Sequence, residues 1–500
     1  MIDLGSNSFR LVVFAAADGF WKRVDEIYLA VRVGEGLDAT GELGEKPMQR
    51  ALEAAEVFAH FCAATGIERG EIEPVATSAI RDASNRVAFL RRVRAETGLR
   101  VRVLSGEEEA HYGYLAAVNS TTIADGIVLD LGGGSLQLVE VKSRHPRRSG
   151  SWPLGAVRMT EHFLADADEA PKKARKALRA HVIQTLQDDA PWLAGSGRRL
   201  VGIGGTIRNL AAATQAEAGH PSLGVQGFEI EREQLDALIS KLADMPASQR
   251  SSVKGIKDGR ADLILAGAIV VQSVLQAGDF DAIEVTEAGL REGVFFGSHL
   301  PGEPPIFDDV RRASVLNLAA RYRVDPAHTE HVSMLALGLF DELAEAGLHD
   351  GDRWERELLW CACLLHDIGM SVDYDDHHKH SRYLILNAGL PGFAPREVAL
   401  IAQAARYHRK GTPDLAELAP LASNGDRTRL DRMAILLRLA EDLERSRDQS
   451  VRSAHVRLDD DTVLLELDTD GGASVERWAV QREVELFDRA FHKRLEVRSQ

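Results

Sequence analysis

The chain has 500 residues, with 60 Lys plus Arg against 76 Asp plus Glu, for a net charge of −16. That length exceeds a single hydrophobic core and calls for three or four domains. A chain with 45% hydrophobic and 27% charged residues falls outside the disordered, collagenous and coiled-coil classes, and its acidic balance argues against a general nucleic-acid-coating role.

Only three cysteines occur, Cys62, Cys361 and Cys363, too few for a disulfide framework or a four-cysteine zinc site. A reducing, cytoplasmic setting is expected. Met1-Ile2-Asp3 leads straight into a motif without a basic and apolar leader, and no run approaches eighteen apolar residues. No membrane partner is expected, and the abrupt start reads as an initiator that clips the first strand.

Phe9 to Ala15 reads as a strand, and Val75-Ala76-Thr77 and Val101-Arg102-Val103 as two more. Between them a helix runs from Pro47 in its first turn to Gly66, with Ala51, Ala55, Phe58 and Cys62 on one face. The theme then returns: a strand at Gly126 to Leu131, a glycine turn, a strand at Leu136 to Val141, and a strand-turn-helix at Leu200 to Ala213. These are two α/β units of similar design. Pro301-Gly302-Glu303-Pro304-Pro305 is a natural linker, and the chain beyond it is helical in pattern to about residue 445. The tail alternates again at Val463 to Leu467, turns at Asp470-Gly471-Gly472 and ends in a Glu483 to Lys493 helix. The expected domains are 1–120, 121–300, 306–446 and 447–500.

Three turns carry chemistry. Asp3-Leu4-Gly5-Ser6-Asn7-Ser8 sets a carboxylate at a strand end, an anionic partner for a hydrated metal, beside N–H groups and hydroxyls that hold phosphate oxygens. Asp130-Leu131-Gly132-Gly133-Gly134-Ser135 repeats the arrangement, and its glycines leave no Cβ to obstruct a phosphate. Gly204-Gly205-Thr206 admits a phosphate or a base, but packing explains its helix entry equally well. A single glycine turn after a strand is more often structural. Two Asp-led turns at the same place in two similar units instead imply lobes that clamp a phosphate chain. No G-x-G-x-x-G opens a helix with a matching acid downstream, and neither turn ends in Gly-Lys-Ser/Thr, so dinucleotide and Walker sites are disfavoured.

Together with Thr77-Ser78-Ala79-Ile80-Arg81-Asp82-Ala83, Ser105-Gly106-Glu107-Glu108-Glu109-Ala110, Gly204-Gly205-Thr206-Ile207-Arg208 and Glu287-Ala288-Gly289-Leu290-Arg291-Glu292-Gly293, these motifs resemble the exopolyphosphatase and guanosine pentaphosphate phosphohydrolase (Ppx/GppA) family. The resemblance implies an α/β fold of two actin-like, Hsp70-like (ribonuclease H-like) ATPase lobes. Residues 308–500 resemble the long exopolyphosphatase form, with an all-α HD-like domain and a small α+β tail. The implied activity is release of orthophosphate from inorganic polyphosphate ends. Guanosine pentaphosphate 5′-phosphohydrolase is the close alternative, and a low-turnover polyphosphate or nucleotide sensor is a third. The implied cofactors are Mg²⁺ and often K⁺, and the implied assembly is a homodimer.

By resemblance, Glu109 is the catalytic glutamate acting on water; on physical grounds alone the Glu107-Glu108-Glu109 run also fits a solvated first helical turn. Arg81 is implied to brace terminal phosphate oxygens, against a surface pair with Asp82. Asp3 and Asp130 are expected to hold Mg²⁺, with Gly5, Ser6, Asn7, Ser8, Gly132, Gly133, Gly134 and Ser135 on phosphate. One departure stands out: the family commonly has a glutamate where this chain has Gln137, expected on the phosphate site, which can orient water or a phosphate oxygen but cannot accept a proton or offer a metal a charge. Lys142, Arg144, Arg147 and Arg148, and Lys172, Lys173, Arg175, Lys176 and Arg179, form two basic clusters that read as solvated faces or as a track for a long polyanion.

Of 17 histidines, a concentration falls between residues 328 and 408. His331, the His366-Asp367 pair, His378, His380 and His408, with Glu441 and Asp442 later, can converge on a metal in a helical bundle, as in HD-type phosphohydrolases. Two readings stand: a second divalent-metal site at His331, His366, Asp367 and Glu441, or a structural domain that aids dimerisation and guides substrate. Glu441 stands where the HD pattern has Asp.

Overall fold

The computed structural model describes residues 1–17, 19–164, 168–195, 199–469 and 474–499. It forms two compact units, Met1–Ala16 with Trp21–Val310, and Arg311–Gln500 with Ala17–Phe20.

The first unit contains two sheets. Strands β1 (Ile2–Leu4), β2 (Phe9–Ala17), β3 (Phe20–Leu29), β4 (Pro74–Ala76) and β5 (Arg102–Val103) make a five-stranded sheet of order β3-β2-β1-β4-β5. Helix α1 (Glu45–Ala64) covers it, and the Ala51, Ala55, Phe58 and Cys62 stripe is wholly buried beside Ile2, Leu4, Phe9 and Leu11. That burial explains why a helix with Gly66 beyond its end sits here: the apolar period of 3.6 matches one buried face.

The second sheet is six-stranded. It uses β6 (Gly126–Leu131), β7 (Leu136–Lys142), β8 (His145–Trp152), β9 (Leu200–Ile203), β10 (Phe228–Glu231) and β11 (Ala282–Val285) in the order β10-β11-β9-β6-β7-β8. Helix α2 (Gly106–Val118) packs its Ala110, Tyr114, Leu115 and Val118 against Val128, Val139, Val201 and Ile203 of this sheet. Helix α3 (Leu290–His299) lies on α2 so closely that a Cβ at Gly293 would stand 1.9 Å from the Tyr112 carbonyl oxygen.

The two sheets contain the same hairpin. In the first, Leu4 pairs Phe9, Asp3 pairs Arg10, and Gly5 N donates to Ser8 O at 3.2 Å. In the second, Leu131 pairs Leu136, Asp130 pairs Gln137, and Gly132 N donates to Ser135 O at 3.0 Å. Each carboxylate therefore stands one residue before the last pair of its ladder, facing the same way relative to its turn.

The second unit is mainly helical. Helices α4 (Pro326–Glu345), α5 (Arg353–Leu365), α6 (His377–Ala388), α7 (Pro395–Arg406) and α8 (Asp426–Leu443) pack together, and β12 (Val451–Asp459), β13 (Thr462–Thr469) and β14 (Arg494–Ser499) form a sheet. The terminal helix expected over Glu483 to Lys493 is shorter, α9 (Val484–Phe491). His492 takes a left-handed conformation (φ 55°), which ends the helix and returns the chain to β14, parallel to β13. The Asp470-Gly471-Gly472 turn lies outside the described residues. No described helix is long and apolar enough to cross a membrane.

Candidate active site

The glycine turns meet face to face. A Cβ at Gly134 would stand 2.5 Å from Ser78 Oγ and 2.9 Å from Ser6 Oγ, and one at Gly133 would stand 3.3 Å from Ser6 Cβ. A side chain at either position would crowd the facing serines, so glycine favours the close approach of the two turns. Asp3, Gly5, Ser6, Asn7, Ser8, Asp130, Gly132, Gly133, Ser135, Gln137, Gly204 and Gly205 all line one cleft, so the two Asp ends share it. About 780 Å³ of the cleft is free of protein atoms, part of it open to solvent. Gly134 sits behind this lining, against the two serines.

Asp3 and Asp130 both carry raised carboxyl pKa values. Burial is the main cause in each; for Asp130 the Asp3 charge adds to it while Arg208 opposes, leaving it at about 6. Two oxygen donors that repel one another across a cleft suit a hard divalent cation, so the residues present fit Mg²⁺.

Glu109 enters from α2. Its neighbour Glu108 has other work: Ser105 Oγ accepts from Glu108 N at 3.1 Å and Glu108 Oε2 accepts from Ser105 N at 2.8 Å, a capping box that holds Glu108 at the helix start. Glu109, 6% exposed, turns inward. Arg81 grips its Oε1, while Ser135 Oγ and Gln137 Nε2 donate to its Oε2 at 3.5 and 3.3 Å. Burial, reinforced by the charges of Asp130 and Asp3 and opposed by Arg81, pushes Glu109 up to about 7. Gln137 also donates to Ser135 Oγ at 2.9 Å and Ser151 Oγ at 3.0 Å, so its amide is fixed by three oxygens.

Arg81 binds Glu109, the Leu104 carbonyl (3.1 Å) and Asp82 (3.3 Å), and does not itself line the cleft. Its geometry is that of a group holding Glu109 in place. Thr206 differs from expectation. It is fully buried and turns its methyl toward Gly267, where a Cβ would stand 2.4 Å away, so only the backbone at Gly204 and Gly205 reaches the cleft.

Four arginines missing from the sequence-based site line the cleft: Arg10, Arg208, Arg260 and Arg291. Arg291 lies 3.8 Å from Asp3, and Arg208 donates to the Glu287 carbonyl at 2.9 Å. Burial, with repulsion from Arg291 and Arg10, pulls Arg208 down to about 10. Arg208 and Arg291 belong to the family-like motifs and Arg10 lies two residues past the first turn; pairing of Arg10 with Asp3 across the hairpin was the available signal. Arg260 carried none.

In the second unit, His328 rather than His331 stands with the expected partners. His328 Nε2 lies 3.1 Å and His366 Nε2 3.2 Å from Glu441 Oε2. His331 sits one turn further along the same face of α4; its Nε2 meets the Val451 carbonyl at 2.9 Å and Glu444 at 3.4 Å. Two groups, His328 with His366 and Asp367, and Asp367 with His377 and His408, bring ligand atoms close enough to hold a metal.

Comparison with known proteins gives a consistent answer. The model of the Ppx/GppA phosphatase family matches residues 12–301, and that of the family's domain III matches residues 310–483. An Aquifex aeolicus Ppx/GppA family member is 30% identical over 59% of this chain and 94% of its own, with a TM-score of 0.51. An exopolyphosphatase-like protein is 28% identical over 59% of this chain and 94% of its own, with a TM-score of 0.54. An exopolyphosphatase from Cytophaga hutchinsonii, at 22% identity and a TM-score of 0.55, covers 59% of this chain and 96% of its own and bears on the fold.

Proposed function

The chain belongs to the Ppx/GppA phosphatase family, and from that premise we propose that it is an exopolyphosphatase, releasing orthophosphate from the ends of inorganic polyphosphate. Family membership supports either this activity or guanosine pentaphosphate phosphohydrolysis; the choice between them is our reading. The observation that carries it is the cleft itself: four guanidinium groups, two glycine turns and two carboxylates converge on a space with Glu109 in its wall.

Hydrolysis of a phosphoanhydride demands a positioned water and cations around the transferring group. The turn N–H groups of Ser6 to Ser8 and Gly133 to Ser135 cradle the terminal phosphates, and Arg10, Arg208, Arg260 and Arg291 offset their charge. Asp3 and Asp130 would hold Mg²⁺, which when bound supplies charge neutralisation to the phosphoryl oxygens. Glu109 orients the attacking water and takes its proton, with Arg81 as the positioning residue that fixes its carboxylate. Gln137 donates to that carboxylate and leaves the proton-accepting work to Glu109 alone. K⁺, homodimer formation, the actin-like description of the lobes and the HD-like identity of the helical region remain parts of this proposal that rest on the family resemblance.

The second reading, a binding module with little turnover, draws on Gln137. Phosphate release measured side by side from long polyphosphate, tripolyphosphate and guanosine pentaphosphate tests the proposal. Fastest release from long polyphosphate supports it; preference for guanosine pentaphosphate transfers the assignment, and tight binding of all three without release favours the sensor.

A further inference from the structure

The histidine cluster of the second unit is built independently of the cleft. His328, His366 and His408 are 3%, 0% and 2% exposed, and Asp367 and His377 are also buried. His366, His377 and His408 each place Nδ1 against the backbone carbonyl three residues earlier, at 2.6 Å (Cys363), 2.9 Å (Tyr374) and 2.7 Å (Ala405). A carbonyl only accepts, so each Nδ1 donates and each neutral ring turns a bare Nε2 lone pair inward. Arg409 Nη1 also lies 3.4 Å from His377 Nδ1, the longer of that nitrogen's two contacts.

Those lone pairs face one another. His377 Nε2 and His408 Nε2 are 3.1 Å apart, an arrangement of two acceptors that calls for a cation between them. On the other side, both nitrogens of His328 and Nε2 of His366 are buried without a hydrogen bond, as is Oε2 of Glu441, although the rings approach that oxygen at 3.1 and 3.2 Å. Asp367 lies between the two groups. Its Oδ1 is 3.3 Å from His377, 3.6 Å from His366 and 3.9 Å from His408, and its Oδ2 is 3.9 Å from His328 and accepts from Arg447 at 2.8 Å. Separations near 3 Å are the edges of a coordination polyhedron: two donors bound at about 2.1 Å and about 3.1 Å apart subtend roughly 95° at one ion.

We propose that these six residues form a dinuclear transition-metal centre, in which Asp367 bridges one ion held by His328, His366 and Glu441 and a second held by His377 and His408. Four imidazoles with two carboxylates favour Mn²⁺, Fe²⁺ or Zn²⁺ over Mg²⁺. The carbonyl-anchored Nδ1 groups are the outer contacts that orient such ligands. The centre is separate in residues and in donor type from the oxygen-lined cleft of Asp3 and Asp130.

The test uses the full chain in an Asp130→Asn background, stripped with chelator, equilibrated with Mn²⁺ in the presence of excess Mg²⁺ and dialysed. The expected result is two Mn²⁺ per chain by elemental analysis, with an exchange-coupled electron paramagnetic resonance signal whose hyperfine spacing is half that of an isolated ion. His408→Ala should keep one ion and lose the coupling, and Asp367→Asn should keep none. Retention of no ion, of one ion, or of two uncoupled ions by the chain with its cluster intact overturns the proposal, whatever the fate of the variants. So does undiminished stoichiometry in folded Asp367→Asn protein.

Discussion

Glu109 is where the chemistry narrows to one side chain. Its carboxyl group titrates at about 7 in the folded chain, raised first by burial and held back by Arg81. A base must be deprotonated, so turnover should rise as pH passes upward through about 7 and level off above it. The stability sign is opposite: a raised folded pKa stabilises below the unfolded value of 4.5, and that contribution is lost as pH climbs to about 7. Glu109→Gln should therefore flatten the pH dependence of denaturant midpoints over this interval, by up to about 3 kcal/mol. Gln137→Glu sets a second carboxylate against Glu109 Oε2, replacing a donor by a like charge. In the absence of divalent metal it should raise the Glu109 pKa by about 1 unit or more, read by carboxyl NMR titration; an unmoved value would contradict the contact. Among three consecutive glutamates the inward one was legible only through the family resemblance, because on physical grounds the run also fits a solvated first turn; the capping box that commits Glu108 emerges from the structure. The arginine quartet was not, because Arg10, Arg208, Arg260 and Arg291 are brought together only by tertiary structure.

At the scale of elements, function rests on two hairpins of equal register and on the glycines that let them touch. Gly155 follows β8 and caps the next helix with an ordinary φ of −67°. An added Cβ there would stand 2.3 Å from the Gly133 carbonyl oxygen and 2.4 Å from the Gly134 carbonyl carbon. Both are backbone atoms and cannot rotate away. Gly155→Ala should thus cost about 1–3 kcal/mol of stability and displace the second phosphate turn. It should lower kcat/KM more than Gly70→Ala, a surface control where an added Cβ meets nothing within 4 Å. Equal kinetics in the two variants would contradict the packing argument. Strand positions and the Ala51 to Cys62 stripe were legible from period alone. The helical unit shows where periodicity stops: His328 and His331 lie three residues apart on one face of α4, and which of them meets His366 depends on helix rotation against α5 and α8.

For the whole molecule, a net charge of −16 repels a polyanion while the cleft attracts it. One basic cluster is already spoken for: Lys142 pairs with Asp125 at 3.0 Å, Arg147 and Arg148 flank Glu140 at 3.5 Å, and Arg144 donates to the Val118 and Phe307 carbonyls. Lys172, Lys173 and Lys176, exposed on the helix Lys172–Asp189 whose other face is buried, are the better candidates for a track. Charge reversal of these three should raise KM for long polyphosphate several-fold at low salt and leave tripolyphosphate within twofold. Added salt should erase that difference, because screening shortens the reach of the field. Equal effects on both substrates would remove the track. The central claim, that one cleft shared by two Asp-led lobes presents a terminal phosphate to water activated by Glu109, is tested most directly by single-turnover phosphate release. With Mg²⁺ and one polyphosphate preparation, Glu109→Gln should bind polyphosphate as the unaltered chain does and release phosphate about 10²–10⁴-fold more slowly; release at the unaltered rate would contradict the account.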